Sequence, residues 1–569
     1  MLRALMLILA MAVAGAAQSS AQFGSGDNSS PPSLALAALQ NRGDFNASTH
    51  RSTQAEVSIA VNPTDASNLV AAAMNLAGEG GILVMTSLDQ GVTWNTVFMP
   101  VSTGAIYHAD PWVAFDSAGV VYLAHIPVAS GNEPIGIEVT RSFDKGLSWD
   151  PSQRISANRG NDDKLVVEVD RSTASPYRDR AYIAWKWPSR GVYVSTGRDG
   201  SFGPPVRIDD AVISGLDLAF QADGTAYLAA NSGARGIVAW RSTDGGASWS
   251  RLPDPSATRA GWYTSGPAFC ERMSLVHATI DADVSGGPNH GRLYVSWSDT
   301  SQASPGQCGD LCQAGPCDTD VYLVRSDDNG DTWTDPVVVH EEELGGADQF
   351  MPWLDVDDTT GHVIVGYKDT RVDSTRREAA FYVSRSTDGG VSWEPSHSLA
   401  SAAGRAFTNF QYGDYQSLAT AGPWIYGAWA DYRDPLQNAA EIFVGRARSK
   451  GRPGAWQLGY PPGGRRLFWS GRLRGRQQLD LYLWVWNPET RENVWIDAEG
   501  SPWARPRPVT TVAARRKGKI DIRLDADVWT RIQTQWPGWV LLGQVFTDSS
   551  DPATGGAVHS SRLKIPLPR

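Results

Sequence analysis

At 569 residues the chain is too long for one small core, but it accommodates a domain of about 400 residues and a second, smaller one. Its formal net charge of −11 is unevenly spread: from Arg452 onward 18 basic residues face 10 acidic ones, which leaves the preceding part strongly acidic. That balance argues against nucleic acid as the main partner, and no segment approaches the ~20 apolar residues of a transmembrane helix.

In chain order, residues 1–21 (MLRALMLILAMAVAGAAQSSA) combine one early Arg, an apolar run from Ala4 to Val13 and then small residues. This is the pattern of a secretory signal peptide, so export to a secreted or periplasmic location is expected. Residues 22–50 read as an N-terminal arm that could close a ring. From 51 to 451 a unit recurs: a strand, a turn, and a strand ending in an aromatic residue. The units run Glu56–Met74, Asp110–His125, Lys164–Trp185, Gly215–Ala230, Leu275–Trp297, Met351–Tyr367 and Asp414–Trp429. Turns such as Asn62-Pro63 and Ala222-Asp223-Gly224 punctuate them. Units spaced by ~50 to 75 residues indicate a radial array of β-sheets. The count predicts an all-β, seven-bladed β-propeller, with six blades as the alternative because the last unit lacks an obvious fourth strand.

Most units continue into a short phrase: TSLDQGVTW (Thr86–Trp94), RSFDKGLSW (Arg141–Trp149), RSTDGGASW (Arg241–Trp249), RSDDNGDTW (Arg325–Trp333) and RSTDGGVSW (Arg385–Trp393), with a degraded copy at Ser195–Phe202. Each follows an apolar β-prone run, which makes it a hairpin turn. The Asp can accept hydrogen bonds from backbone N–H groups downstream, the Gly supplies a positive φ, and the Trp folds over the hairpin as an apolar plug. The repeated Asp is therefore a structural device rather than a catalyst.

The phrase resembles the Asp box of the sialidase-like, BNR-repeat β-propellers, and the resemblance covers roughly residues 51–451. It implies the propeller fold and, less directly, a glycan-acting site. Asp-box propellers include enzymes, receptors and assembly factors. Sialidases also carry an early Arg-Ile-Pro that begins a carboxylate-binding triad. No Arg-Ile-Pro occurs here, and Arg51, in STHRSTQAE, does not match its context.

Beyond Arg452 the texture changes. Strand-like runs at Leu479–Trp486, Val494–Ile496, Ile520–Leu524, Val540–Phe546 and Arg562–Ile565 suggest a small β-sandwich-like domain over 452–569. Its tryptophans could form a sugar-stacking platform, although the alternation in LDLYLWVW assigns several to a core. Four cysteines, Cys270, Cys308, Cys312 and Cys317, predict two disulfides in an exported protein, with Cys270 joined to one of the other three. Zinc is disfavoured because no His lies among them.

Inner strands begin and second strands end on one face of a propeller, so one residue per unit should reach the channel mouth: Glu56, Asp110, Lys164, Gly215, Leu275, Met351 and Asp414. The matching second-strand ends carry His125, Lys186, Asp299, Asp369 and Asp431, three of them in the related phrases WSDT, YKDTR and WADYR. Carboxylate pairs serve as acid and base or nucleophile in glycoside hydrolysis, and arginines orient anionic or polar substrates. The expected catalytic residues are Asp110, Asp369, Asp414 and Asp431, with Tyr415 as a phenolic nucleophile by resemblance to sialidases. Glu56, Lys164, Arg272, Asp299, Arg371 and Arg433 are expected to bind substrate. No cofactor or metal site is expected, with Ca²⁺ at the acidic mouth left open. A monomeric glycoside hydrolase acting on a glycan or glycoconjugate is the leading expectation. A non-catalytic glycan- or protein-binding propeller is the alternative, and a membrane-complex assembly factor a third.

Overall fold

The computed structural model describes residues 40–448 except 51, 77–79, 157–161, 188–190, 212, 270–271, 301–317, 342–345, 406–411 and 434–438. Beyond 448 it describes backbone strands between Trp456 and Pro566 and a short stretch near 532–536. The predicted signal peptide and all four cysteines lie outside these residues. Among the described residues helix is confined to a 3-10 turn at Gly233–Arg235 and a turn near 532–535, and no helix is long and apolar enough to cross a membrane.

Seven antiparallel sheets form the ring predicted from the repeats. Their inner strands are Gln54–Val61, Tyr107–Phe115, Asp163–Val169, Ser214–Phe220, Thr279–Ala282, Gln349–Val356 and Ser417–Ala421, in blades 1 to 7. Each inner strand contacts the next, and the seventh returns to the first. The fourth strand that blade 7 lacks in sequence order is Gln40–Asn46, which pairs antiparallel with Glu441–Arg448 and places the chain's start on its last blade. In blade 5 the inner strand starts at Thr279, not Leu275. Ser274–Leu275 instead pairs with Tyr263–Thr264 in a two-stranded ribbon. The C-terminal strands form one seven-stranded antiparallel sheet around the long strand Arg465–Trp486.

The Asp boxes are built as the residue types require. In the first, Asp89 Oδ1 accepts from the N–H groups of Val92 (3.1 Å) and Thr93 (2.9 Å), Asp89 Oδ2 accepts from Thr93 Oγ1 (2.7 Å), and Trp94 Nε1 donates to Gly91 O (3.1 Å). Burial works to raise this carboxyl, but the bonds outweigh it and hold the group below the usual range. Each box also docks on the preceding blade. Arg446 donates to Gln90 O (2.7 Å), Arg241 to Asn329 O (3.0 Å) and Arg325 to Gly390 O (3.0 Å). Arg241 and Arg325, each opening its own box, thus fasten the next one. Blade 7 carries no box, and Arg385 in blade 6 turns to its own hairpin, where Nε donates to Glu394 at 2.9 Å.

Inner strands have one unpaired edge facing the channel, whose N–H groups need partners. The neighbouring blade supplies them: Ser58 Oγ accepts from Val113 N (3.0 Å), Asp110 Oδ2 from Lys164 N (3.0 Å), Asp217 Oδ2 from Ile280 N (2.9 Å), Asp281 Oδ2 from Val356 N (2.7 Å), Asp355 Oδ2 from Thr420 N (2.9 Å) and Ser417 Oγ from Ile59 N (3.2 Å). Several channel carboxylates therefore serve first to close the ring.

Candidate functional site

Each inner strand of blades 1, 2, 3, 4 and 6 carries a β-bulge near its start, where one residue takes a left-handed conformation: Glu56 (φ 56°), Asp110 (48°), Lys164 (50°), Gly215 (58°) and Met351 (53°). For L-residues this costs about 1–2 kcal/mol each. Because Met351 and Gly215 share it, the bend belongs to the scaffold, and the chemistry lies in which side chains are mounted on it. In blade 5 the residue packed against Gly215 is His277, and in blade 7 the register places Tyr415 rather than Asp414 at the corresponding position.

Five expected residues converge. Lys164 Nζ lies 2.5 Å from Asp414 Oδ2 and 3.6 Å from Asp110 Oδ2, while Arg272 Nη2 bridges Asp414 Oδ1 (2.6 Å) and Glu56 Oε1 (3.4 Å). The Asp414 N–H also donates to Glu56 Oε1 at 3.2 Å. Two residues outside the expected binding and catalytic set extend the group: Asp163 Oδ1, 3.5 Å from Lys164 Nζ, and Lys186 Nζ, 2.8 Å from Asp163 Oδ2. Asp163 adjoins Lys164 in sequence, and the register shift between Asp163 and Leu165 marks the bulge at which the two meet.

Burial and charge push two of these carboxyls apart. Glu56 is 2% exposed, and burial raises its carboxyl well above the ordinary range against the opposing pull of Lys164. Asp414 is partly buried, but Lys164 and Arg272 outweigh that burial and hold it far below that range. For Lys164, burial favours the neutral amine, yet Asp110, Asp414, Asp163 and Glu56 together hold it protonated. The mouth thus places two carboxyls, pushed in opposite directions, on one guanidinium.

Tyr415 borders this group but is 3% exposed, and its hydroxyl donates to Pro111 O at 3.2 Å. Burial, then Asp110 and Glu56, push the phenol well above its ordinary range, so it stays neutral. Its ring joins Trp112 (5.1 Å), Trp353 (4.6 Å from Trp112) and His277 (5.3 Å from Trp353) in an aromatic plug across the channel. On the far side of the plug lies a cavity of about 370 Å³ lined by Glu168, Asp217, Asp281 and Asp355, with Arg171 among them. Burial raises the Glu168 and Asp355 carboxyls to about 7. This cavity and the mouth cluster are different places, and the acid–carboxylate pair belongs to the mouth.

The aromatic-Asp phrases lie elsewhere. Asp369 pairs with Gln349, and Asp431 with Glu441, on second strands one step further from the axis. Asp369 Oδ2 accepts from Arg371 Nε (2.8 Å), and Arg371 Nη1 reaches Glu341 (2.6 Å). Asp431 Oδ2 accepts from Arg433 Nη2 (2.6 Å) and Trp429 Nε1 (2.6 Å), and Arg433 Nη1 reaches Asp44 on the N-terminal strand (2.6 Å). Asp299 accepts from the N–H groups of Arg259 and Ala260, each at 2.8 Å. The expected convergence of Asp299, Asp369, Asp431, Arg371 and Arg433 with Asp110 and Asp414 is therefore corrected. A second strand is displaced sideways from the axis, and the Asp and Arg two residues apart satisfy each other as loop clamps.

No protein-family model matches the sequence, and no curated protein matches it. Solved structures are similar to it at low identity. A protein of unknown function from Dyadobacter fermentans aligns over 73% of this chain and 100% of its own, at 11% identity and a TM-score of 0.40. The intramolecular trans-sialidase of Ruminococcus gnavus aligns over 58% of this chain and 92% of its own, at 12% identity and 0.39. The GH74 xyloglucanase of Xanthomonas campestris aligns over 74% of this chain and 64% of its own, at 17% identity and 0.37. Likeness at this level does not speak to substrate.

Proposed function

We propose that the protein is a glycoside hydrolase acting on a glycan at the channel mouth, with Glu56 as proton donor and Asp414 as the ionised partner. The observation that carries this reading is the Glu56–Arg272–Asp414 bridge, in which burial pushes one carboxyl up while Lys164 and Arg272 pull its neighbour down. Such a split is how one site supplies an acid and a base at neutral pH. Lys164 and Arg272 would stabilise the carboxylate and orient hydroxyl or carboxylate groups of the sugar. Asp163 and Lys186, nearer the solvent, form a polar rim. Neutral Tyr415 serves as packing and as a support for Pro111 rather than as nucleophile.

A second reading, a non-catalytic glycan-binding mouth, draws on the same ion pairs. Lys164 and Arg272 both hold Asp414 at 2.6 Å or less, so this carboxylate is largely satisfied without substrate. Turnover of a panel of aryl glycosides, sialosides included, separates the two. Glu56→Gln and Asp414→Asn should each lower kcat by about 10²-fold or more with the fold retained, the usual scale for a lost acid or base. Absence of turnover on every substrate, with glycan binding that survives both substitutions, would refute the hydrolase.

A further inference from the structure

Blade 2 carries a second polar cluster that the mouth does not use. One residue from each of its strands lines up across one face of the sheet: His108 on Tyr107–Phe115, His125 on Val121–Ala129, Glu138 on Glu138–Ser142 and Arg154 on Gln153–Arg154. His125 is paired directly with Glu138, and Glu138 with Arg154. The two imidazoles stack at 4.1 Å with 22° between their planes. At the place of His125, the second strands of blades 3, 5, 6 and 7 carry Trp185, Trp297, Tyr367 and Trp429, fully buried aromatic rings.

A histidine in that place is costly unless its nitrogens are used. His125 is 0% and His108 1% exposed, and among the described residues neither ring nitrogen of His125 nor Nδ1 of His108 has a hydrogen-bond partner. By contrast, Trp185 Nε1 donates to Asp162 (2.9 Å), and the Tyr367 hydroxyl meets Ser384 (2.7 Å) and Ser396 (2.6 Å). The rings lie beside a buried carboxylate, and one ligating atom from each of His108, His125 and Glu138 lies within 4.8 Å of the others.

We propose that His108, His125 and Glu138 form a binding site for a divalent transition-metal ion, Zn²⁺ by the chemistry of its donors. Two imidazoles and one carboxylate make a zinc ligand set with a fourth position for water, whereas Ca²⁺ and Mg²⁺ take all-oxygen shells. The surrounding bonds suit ligation. The Ser102 N–H donates to His108 Nε2 at 3.1 Å, and Ser102 Oγ, also 3.1 Å from that nitrogen, donates to Glu138 Oε2, so one residue fixes both the ring and the carboxylate. Arg154 Nη2, 2.7 Å from Glu138 Oε1, orients the carboxylate and tempers affinity through its charge. The burial of all three ligands makes this a structural site. His125 lies opposite the Asp110–Pro111 bulge, so the ion would fasten three strands directly behind the mouth. No spacing motif announces the site in the sequence, because only strand pairing brings the three residues together.

The test is metal analysis of the full-length, untagged protein expressed with Zn²⁺ and passed through gel filtration, followed by Co²⁺ substitution and thermal unfolding with and without EDTA. About one Zn²⁺ per chain is expected, with tetrahedral Co²⁺ absorption bands and a lower melting temperature in EDTA. His125→Phe, which places an aromatic ring where four other blades have one, should stay folded, lose the ion and lose the EDTA effect. A folded wild-type protein that takes up neither Zn²⁺ nor Co²⁺ overturns the proposal. So does metal content or EDTA sensitivity that is equal in wild type and His125→Phe, which would place the ion elsewhere.

Discussion

Replacing Lys164 with Met isolates the electrostatics of the mouth from its backbone strain. Met351 occupies the corresponding bulge of blade 6 at φ 53°, against 50° for Lys164, so the methionine introduces no new conformational cost. What it removes is the one cation that touches Asp414, Asp110 and Asp163 together. Deleting one partner of a buried ion pair costs about 3–5 kcal/mol, because the other charge is left without compensation. Arg272 still holds Asp414, and Lys186 still holds Asp163, which puts the expected loss at the lower end, about 3 kcal/mol at pH 7. The pH dependence has a definite sign. With its pKa depressed in the folded state, Asp414 contributes stability that is present above the unfolded value of about 3.9 and is lost as pH falls through the folded one. Without Lys164 that depression shrinks, and the stranded carboxylates can protonate in mild acid. The gap between wild type and variant should therefore narrow between pH 7 and pH 4. Urea unfolding at several pH values measures it. A gap that stays constant, or widens in acid, would refute the assignment of Lys164 as a charge that holds Asp414 ionised.

Two further perturbations test the scaffold. Asp388→Ala removes the carboxylate that accepts from Ser392 N (2.9 Å) and Val391 N (3.2 Å) in the blade 6 box. A loss of about 1 kcal/mol, as for a helix cap, is expected at neutral pH, with glycan binding or turnover unchanged. The loss should fade below about pH 4, because the folded state lowers this carboxyl's pKa and its contribution disappears on protonation. Gly146→Ala should be worse. Its φ is +88° and an added Cβ would lie 2.6 Å from Val70 Cγ2 on blade 1. The blade 2 box must then shift away from Thr86, which donates to Gly146 O at 2.9 Å. Overpacking of this kind costs about 1–3 kcal/mol, read as a lower urea midpoint. A midpoint at or above that of wild type would contradict the docking of box on blade.

The separation between legible and illegible features follows from how far apart the interacting residues are in the chain. The boxes were readable because their bonds close within five residues: Ser87, Asp89, Gly91 and Thr93 satisfy one another. Seven units were countable because each hairpin repeats the same alternation, and Glu56, Asp110 and Lys164 aligned at the mouth because each begins its inner strand. The Asp-x-Arg phrases looked like chemistry for the same local reason, and locality is what they are: Arg371 and Arg433 fold back on carboxylates two residues earlier. Lys186 was legible as the end of a second strand, whereas Asp163 joins the group through a bulge register, which shifts single residues and is not written in polarity alone.

What the sequence by itself determined is therefore the all-β repeat, its punctuation, and the strip of residues that starts each inner strand. Ring closure by Gln40–Asn46, the meeting of Glu56, Asp414, Lys164 and Arg272, the plug of Trp112, Trp353 and Tyr415, and the row of His108, His125 and Glu138 were decided by tertiary structure. The residues in these groupings come from different strands, in most cases of different blades. Their protonation states depend on burial and on neighbours that only the closed ring supplies.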